Sequence, residues 1–154
     1  RLPVSQRKGT ALPSYGAVTG AGMQSVLVNI DDTTKWWFIS THVQPTTTQE
    51  DGTLAQVRAV EALAKKRAAT GNPVVLGGDF NLEPGSPSWN VLVGGSLFDA
   101  CSANRPMFTF DPELLDQQLD HFFATTDLTV ECLGSVKTTA SDHLPITATF
   151  SPAS

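Results

Sequence analysis

A mixed α/β fold is predicted by three features of the sequence. An amphipathic helical pattern spans Thr53 to Ala69, and it is followed directly by the apolar run Val74-Val75-Leu76-Gly77-Gly78, the kind of strand that is buried on both faces. Two β-branched segments precede this unit, and several short strand patterns follow it. A helix beside a buried strand implies layered packing. With 154 residues, 40% of them hydrophobic, the chain can build one core, and residues 1–154 read as a single domain. Only 16% of residues are charged, and Gly and Pro are near average usage, which excludes a disordered or collagen-like chain and gives no hint of a coiled coil.

Taken in order, Gln24 to Ile30 and Lys35 to Thr41 read as strands, and the Asp31-Asp32-Thr33-Thr34 cluster between them predicts an antiparallel hairpin. The helix puts Leu54, Val57, Val60, Leu63 and Ala64 on one face, with Arg58, Glu61, Lys65 and Lys66 largely on the other. Gly71 and then Pro73 stop it. Ser86-Pro87-Ser88-Trp89 is a helix start, because a serine oxygen can accept from free amides at the cap and proline suits the first helical position. Further strands are expected over Met107 to Phe110, Gln117 to Thr125, Leu128 to Val136 and Pro145 to Phe150.

Ten basic residues against fifteen acidic ones give a formal charge of −5, so an anionic substrate must be met locally, through a metal ion or a small focused cluster. Arg58, Lys65, Lys66 and Arg67 form a run on one helix and read as solvated surface, which disfavours a nonspecific nuclease. The longest uncharged stretch, Gly9 to Ile30, is interrupted by Pro13 and Asn29 and cannot be a transmembrane helix. Cys101 and Cys132 can pair or remain apart; buried free thiols are the expectation, since free cysteine is among the most buried residue types. Two cysteines leave the compartment unknown, and a Thr-rich, Lys-poor composition leans towards an extracytoplasmic one. Arg1 is neither an initiator Met nor the start of a signal peptide, so the chain reads as a fragment or a processed product.

Polar residues collect at strand ends, where a rigid scaffold presents functional groups. Thr41-His42 closes one strand, Gly78-Asp79-Phe80-Asn81 closes another, and Ser141-Asp142-His143-Leu144-Pro145 opens the last. Gln118-Leu119-Asp120-His121-Phe122-Phe123 sets Asp120 in an apolar strand, and a buried carboxylate needs a donor partner. Each signal has a plainer reading: His42 as a structural histidine, Asp79 and Asn81 as turn formers, His121 as a structural or surface residue on the opposite strand face from Asp120. Trp36 and Trp37 point to opposite faces, and with Trp89 they suit core or rim packing better than base stacking.

Together the four segments resemble the endonuclease/exonuclease/phosphatase superfamily, the metal-dependent phosphoesterases similar to DNase I. The resemblance rests on TH at 41–42, GDFN at 78–81, QLDHFF at 118–123 (similar to the family's RIDYIF strand) and SDHLP at 141–145, all in the family's order. Arg-Leu-Pro-Val at the start is similar to a family strand entered partway. The implied fold is part of a four-layer α/β/β/α sandwich with mostly antiparallel sheets. Family members are longer, and their first part supplies an Asn and a metal-binding Glu that have no counterpart here; Glu50 lies downstream of His42, where it cannot take that place. The chain is therefore expected to be the C-terminal portion of such a domain, with the missing N-terminal half or a partner chain completing it.

The resemblance implies a divalent-metal-dependent phosphoesterase acting on a phosphodiester or phosphomonoester by in-line water attack, with Mg²⁺ (or Mn²⁺) as cofactor. His143 is then the general base and Asp120 fixes its tautomer. Asp79 orients the water or helps the metal, Asn81 bonds a phosphate oxygen, Asp142 is a metal carboxylate, and His42 donates to a phosphate oxygen or assists the leaving group. Histidine suits this role because its ordinary pKa lies near working pH. The competing expectation is a catalytically inactive binding or scaffolding module that retains the fold.

Overall fold

The computed structural model describes residues 2–14, 21–45, 50–101, 108–110 and 117–154. Its elements in chain order are β1 (Val4–Ala11), β2 (Gly22–Asn29), β3 (Lys35–His42), α1 (Glu50–Ala68), β4 (Val74–Asp79), α2 (Pro87–Val93), β5 (Leu97–Asp99), β6 (Asp120–Thr125), β7 (Leu128–Ser135) and β8 (Ile146–Pro152). Six strands form one sheet in the order β1-β2-β3-β4-β6-β5, and β7 pairs with β8 separately. Among the described residues only β3 and β4 run parallel, and every other strand pair is antiparallel. Parallel neighbours need a crossover, and α1 supplies it.

The hairpin between β2 and β3 forms as its composition predicts. Asp31 accepts from the backbone N–H of Thr33 and Thr34 at 2.8 and 2.7 Å, and these bonds hold its carboxyl at about 2. Strand alternation then sends Trp37, Ile39, Val74, Leu76 and Phe123 to one face, where they meet Val57, Val60 and Ala64 of α1 and Leu92 of α2. The cap of α2 is the expected one, with Ser86 Oγ accepting from Trp89 N. Gln56 is buried on the core face of α1; its amide donates to the Pro13 carbonyl at 2.7 Å and to Gln44 Oε1 at 2.9 Å. That polar residue ties the helix to the loops after β1 and β3.

The opposite face of the sheet carries Trp36, Val75 and Ala124, which pack with Leu128 and with the partly buried Phe38, Phe122, Val130 and Phe150. The β7–β8 sheet thus lies on this outer face, with the Phe122 and Phe150 rings edge-on at 5.7 Å. It covers the face in part. Beside it a groove of about 370 Å³ runs between Val26, Phe38, Val75 and Phe122. No helix among the described residues is long and apolar enough to cross a membrane.

Four expectations are corrected. Cys101 and Cys132 form a disulfide, with Cα atoms 5.2 Å apart: the turn just after β5 and the middle of β7 meet where the small sheet docks, a proximity that a sequence separation of 31 does not reveal. Arg67 does not extend the solvated basic run; its guanidinium lies 4.2 Å over the Trp37 ring and donates to Ser25 Oγ. The strand expected over Met107 to Phe110 is reduced, among its described residues, to a single bridge from Phe110 to His143, and Met107 lies outside the described residues. The strand expected from Gln117 begins only at Asp120, because Leu119 N bonds the Thr109 hydroxyl instead of a sheet neighbour. β5, three residues long, was not anticipated, and β1, expected only as the end of a family-like strand at Arg-Leu-Pro-Val, runs from Val4 to Ala11 as an exposed edge with no apolar alternation.

The disulfide links the small sheet to the large one, so its loss releases a long loop in the unfolded chain. Replacing both cysteines by serine is expected to lower stability by about 3–4 kcal/mol. The check is the urea midpoint in non-reducing buffer, and an unchanged midpoint rejects the bond.

Candidate active site

The β3–β4–β6 register sets three of the expected residues in one row. His42 is the cross-strand partner of Asp79, and Asp79 is the partner of Asp120. Each stands at even spacing from an outer-face residue of its own strand, Phe38, Val75 and Phe122 respectively, so all three belong to the outer face. β6 runs antiparallel to β4, so its first residue lies beside the last residue of β4. Strand ends far apart in sequence become one edge.

Glycine lets that edge close. Gly78 has φ +146°, and a Cβ there would stand 2.0 Å from the Thr41 carbonyl oxygen. Beyond it the chain turns: Asp79 Oδ1 accepts from Asn81 N at 2.9 Å, and Asn81 adopts φ 50°, a conformation that asparagine tolerates. The Asn81 amide donates to the Val43 carbonyl at 2.9 Å, clamping the loop after β4 to the loop after β3. The turn reading and the site reading of Asp79 and Asn81 therefore describe the same loop.

His143 arrives from the segment before β8. Its Nδ1 lies 2.8 Å from Asp120 Oδ2, and its Nε2 lies 3.8 Å from Asp79 Oδ2. His42 Nε2 approaches the same Asp79 oxygen at 3.4 Å. The side chain of His42 is 71% exposed, that of His143 31%, and those of Asp79 and Asp120 19% each, so the pocket is half-buried and open on the His42 side. Asp120 has the donor partner that its burial demands.

Burial drives the Asp79 carboxyl above the ordinary carboxylate value, and the adjacent Asp120 charge adds to this, while the Asn81 N–H and the two imidazoles offset part of it. For His143, burial works against the cation. The hydrogen bond and charge of Asp120 outweigh it, with lesser contributions from Asp79 and Asp142, and its pKa stands above the ordinary value. Asp120 thus raises the basicity of the ring it bonds.

Ligand atoms of Asp79, Asp120 and His143 all lie within 4.8 Å of one another. Two neighbouring carboxylates whose charges repel form a hard-oxygen site of the type Mg²⁺ favours, and a divalent cation relieves their repulsion. The donor set fits such an ion. Asp142 is exposed, bonds Ser141 Oγ at 3.4 Å, and is not one of the three converging groups.

His121 faces away from the site, as the strand period requires. It is fully buried, with Nε2 2.7 Å from the Leu82 carbonyl and its ring between Phe80 and Phe123, so it is a core residue and not a surface one. Trp36 and Trp37 pack on opposite faces of the sheet and Trp89 packs against Phe123. Sequence reasoning missed Thr109 and Phe110. Phe110 lies edge-on to His143 at 5.0 Å, and the only sequence signal was an aromatic and β-branched segment that read as an ordinary strand.

The fold is shared with solved structures. The chain superposes on the Bacteroides thetaiotaomicron mannosyl-6-phosphatase with a TM-score of 0.78 and 19% identity, covering 97% of this chain and 67% of that one. The human Nocturnin catalytic domain with bound sulfate gives 0.74 and 18%, covering 98% and 61%. TDP2 from D. rerio, complexed with a single-strand DNA product, gives 0.74 and 18%, covering 98% and 69%. The chain thus spans about two thirds or less of the length of these structures. No curated protein matches the sequence. The sequence profile of the endonuclease/exonuclease/phosphatase family, whose members are hydrolytic phosphoesterases and nucleases, matches residues 8–143. The chain belongs to that family.

Proposed function

We propose that this chain carries the general-base side of a divalent-metal-dependent phosphoesterase that hydrolyses a phosphodiester or phosphomonoester by in-line attack of water. The observation that carries this reading is the His143 imidazole held at Nδ1 by Asp120, with its other nitrogen turned towards Asp79. With Nδ1–H donated to Asp120, Nε2 is left as the proton acceptor. Asp79 Oδ2 accepts a hydrogen bond from the attacking water and fixes its approach, and His143 Nε2 removes the proton as the oxygen adds to phosphorus. His42 donates from Nε2 to a phosphate oxygen or to the departing one, and the Asn81 amide supports the same oxygens. Asp79, together with an acidic ligand from outside residues 1–154, would hold Mg²⁺ or Mn²⁺, which would stabilise the negative charge on the phosphoryl oxygens.

The reading includes a contribution from outside residues 1–154. An acidic metal ligand and the cover of the outer-face groove come from an N-terminal half or a partner chain, which also completes the four-layer sandwich. The apolar lining of the groove and the greater length of the superposed structures support this. An extracytoplasmic location follows the same line, since disulfides persist in oxidising compartments.

In the full-length protein, His143→Ala and Asp79→Ala are each expected to lower turnover of bis-p-nitrophenyl phosphate by at least about 10²-fold. EDTA is expected to abolish the wild-type activity. Near-normal turnover in either variant rejects the role assignment, and no hydrolysis by the wild type favours an inactive module.

Residues 1–154 alone are expected to bind Mg²⁺ weakly, because the principal acidic ligand lies elsewhere; tight stoichiometric binding by calorimetry contradicts this.

A raised folded-state pKa also fixes a pH dependence. The His143 contribution to stability is complete below the unfolded value near 6.5 and is lost as pH rises through the higher folded value. The stability difference between wild type and Asp120→Asn is therefore expected to be largest near pH 5.5 and to shrink towards pH 9, measured by urea unfolding. A difference independent of pH rejects the ion pair.

A further inference from the structure

Asp120 and His143 belong to different sheets. Asp120 opens β6 of the large sheet, whereas the segment bearing His143 runs into β8, which pairs with β7. Something other than a continuous ladder must set their separation. Thr109 is fully buried at that seam. Its hydroxyl oxygen accepts from Leu119 N and from Asp120 N, both at 2.9 Å, while its carbonyl accepts from Leu144 N at 2.7 Å. Those donors are the backbone of the carboxylate residue itself and of the residue after the imidazole. Phe110 adds the bridge to His143 and the edge-on ring contact, interplanar angle 74°. Thr109 N and Phe110 N both donate to the Gln117 carbonyl, at 3.0 and 3.1 Å, which anchors the pair against the approach to β6.

We propose that Thr109, seconded by Phe110, is a positioning residue that holds the backbones of Asp120 and His143 at the separation required by their 2.8 Å bond. One residue supplies the acceptor for each side, so a shift on one side is resisted by the other. The inference rests on the phosphoesterase reading for its consequence on rate, though not for its geometry. A small displacement of a general base from its orienting carboxylate lowers turnover with little effect on ground-state binding.

The test compares Thr109→Val, which keeps nearly the same volume and removes the acceptor, with Thr109→Ser, which keeps the acceptor. In the full-length protein with Mg²⁺ and bis-p-nitrophenyl phosphate, the valine variant is expected to lose about 10- to 100-fold in kcat with KM changed by less than about twofold, and the serine variant to recover most of the loss. The second readout needs no activity. In ¹⁵N-histidine-labelled protein the hydrogen-bonded Nδ1–H of His143, assigned by its loss in His143→Gln, is expected in the wild type and the serine variant and to be absent in the valine variant. A folded valine variant that keeps both the signal and kcat overturns the proposal, as does a wild-type spectrum without the signal. If the wild type hydrolyses nothing, the function reading fails and the signal alone decides the positioning claim. Should Thr109→Val not fold, Phe110→Leu decides it: a weakened signal supports the proposal, and an unchanged signal with unchanged kcat overturns it.

Discussion

Two carboxylates stand directly opposite one another on neighbouring strands, Asp79 on β4 and Asp120 on β6, and the rest of the site answers that arrangement. Partial burial imposes a desolvation cost on such a pair, and the repulsion of its like charges adds to it. Burial first, and the Asp120 charge after it, raise the Asp79 pKa. Each carboxylate is given separate compensation. Asp120 takes the His143 ring, while Asp79 takes a backbone N–H from its own turn and lies near two imidazoles. A fold without a chemical reason to hold these charges together gains nothing from the arrangement, since replacing paired polar groups with apolar ones is often neutral or stabilising.

The residues that converge were legible because they sit at strand ends, where polar side chains interrupt apolar runs. Thr41-His42, Gly78 to Asn81 and Ser141 to Pro145 each break a pattern that propensity alone would continue. The helix face of Val57, Val60 and Ala64 and the buried β4 were legible for the same reason: their periods match the faces they bury. The pairing of Asp79 with Asp120 was not, since register is a property of two strands and neither segment encodes the partner. The disulfide escaped for a related reason, because spacing along the chain says nothing about the distance between the small sheet and β5.

Some residues misled because their local signal was real and their context was not visible. Arg67 sits in a basic run but lies over Trp37, where its guanidinium packs as a flat apolar surface as well as a charge. Thr109 looked like one more β-branched strand residue, yet its hydroxyl accepts from the two backbone N–H groups where β6 begins.

The Cys101–Cys132 bond makes a covalent ring out of the chain between them, and Thr109, Asp120 and His121 all lie inside it. A single proteolytic cut anywhere in that ring leaves one molecule. The two new ends remain tethered at high effective concentration, so a nicked chain keeps the partners of its pocket within reach of each other until the bond is reduced.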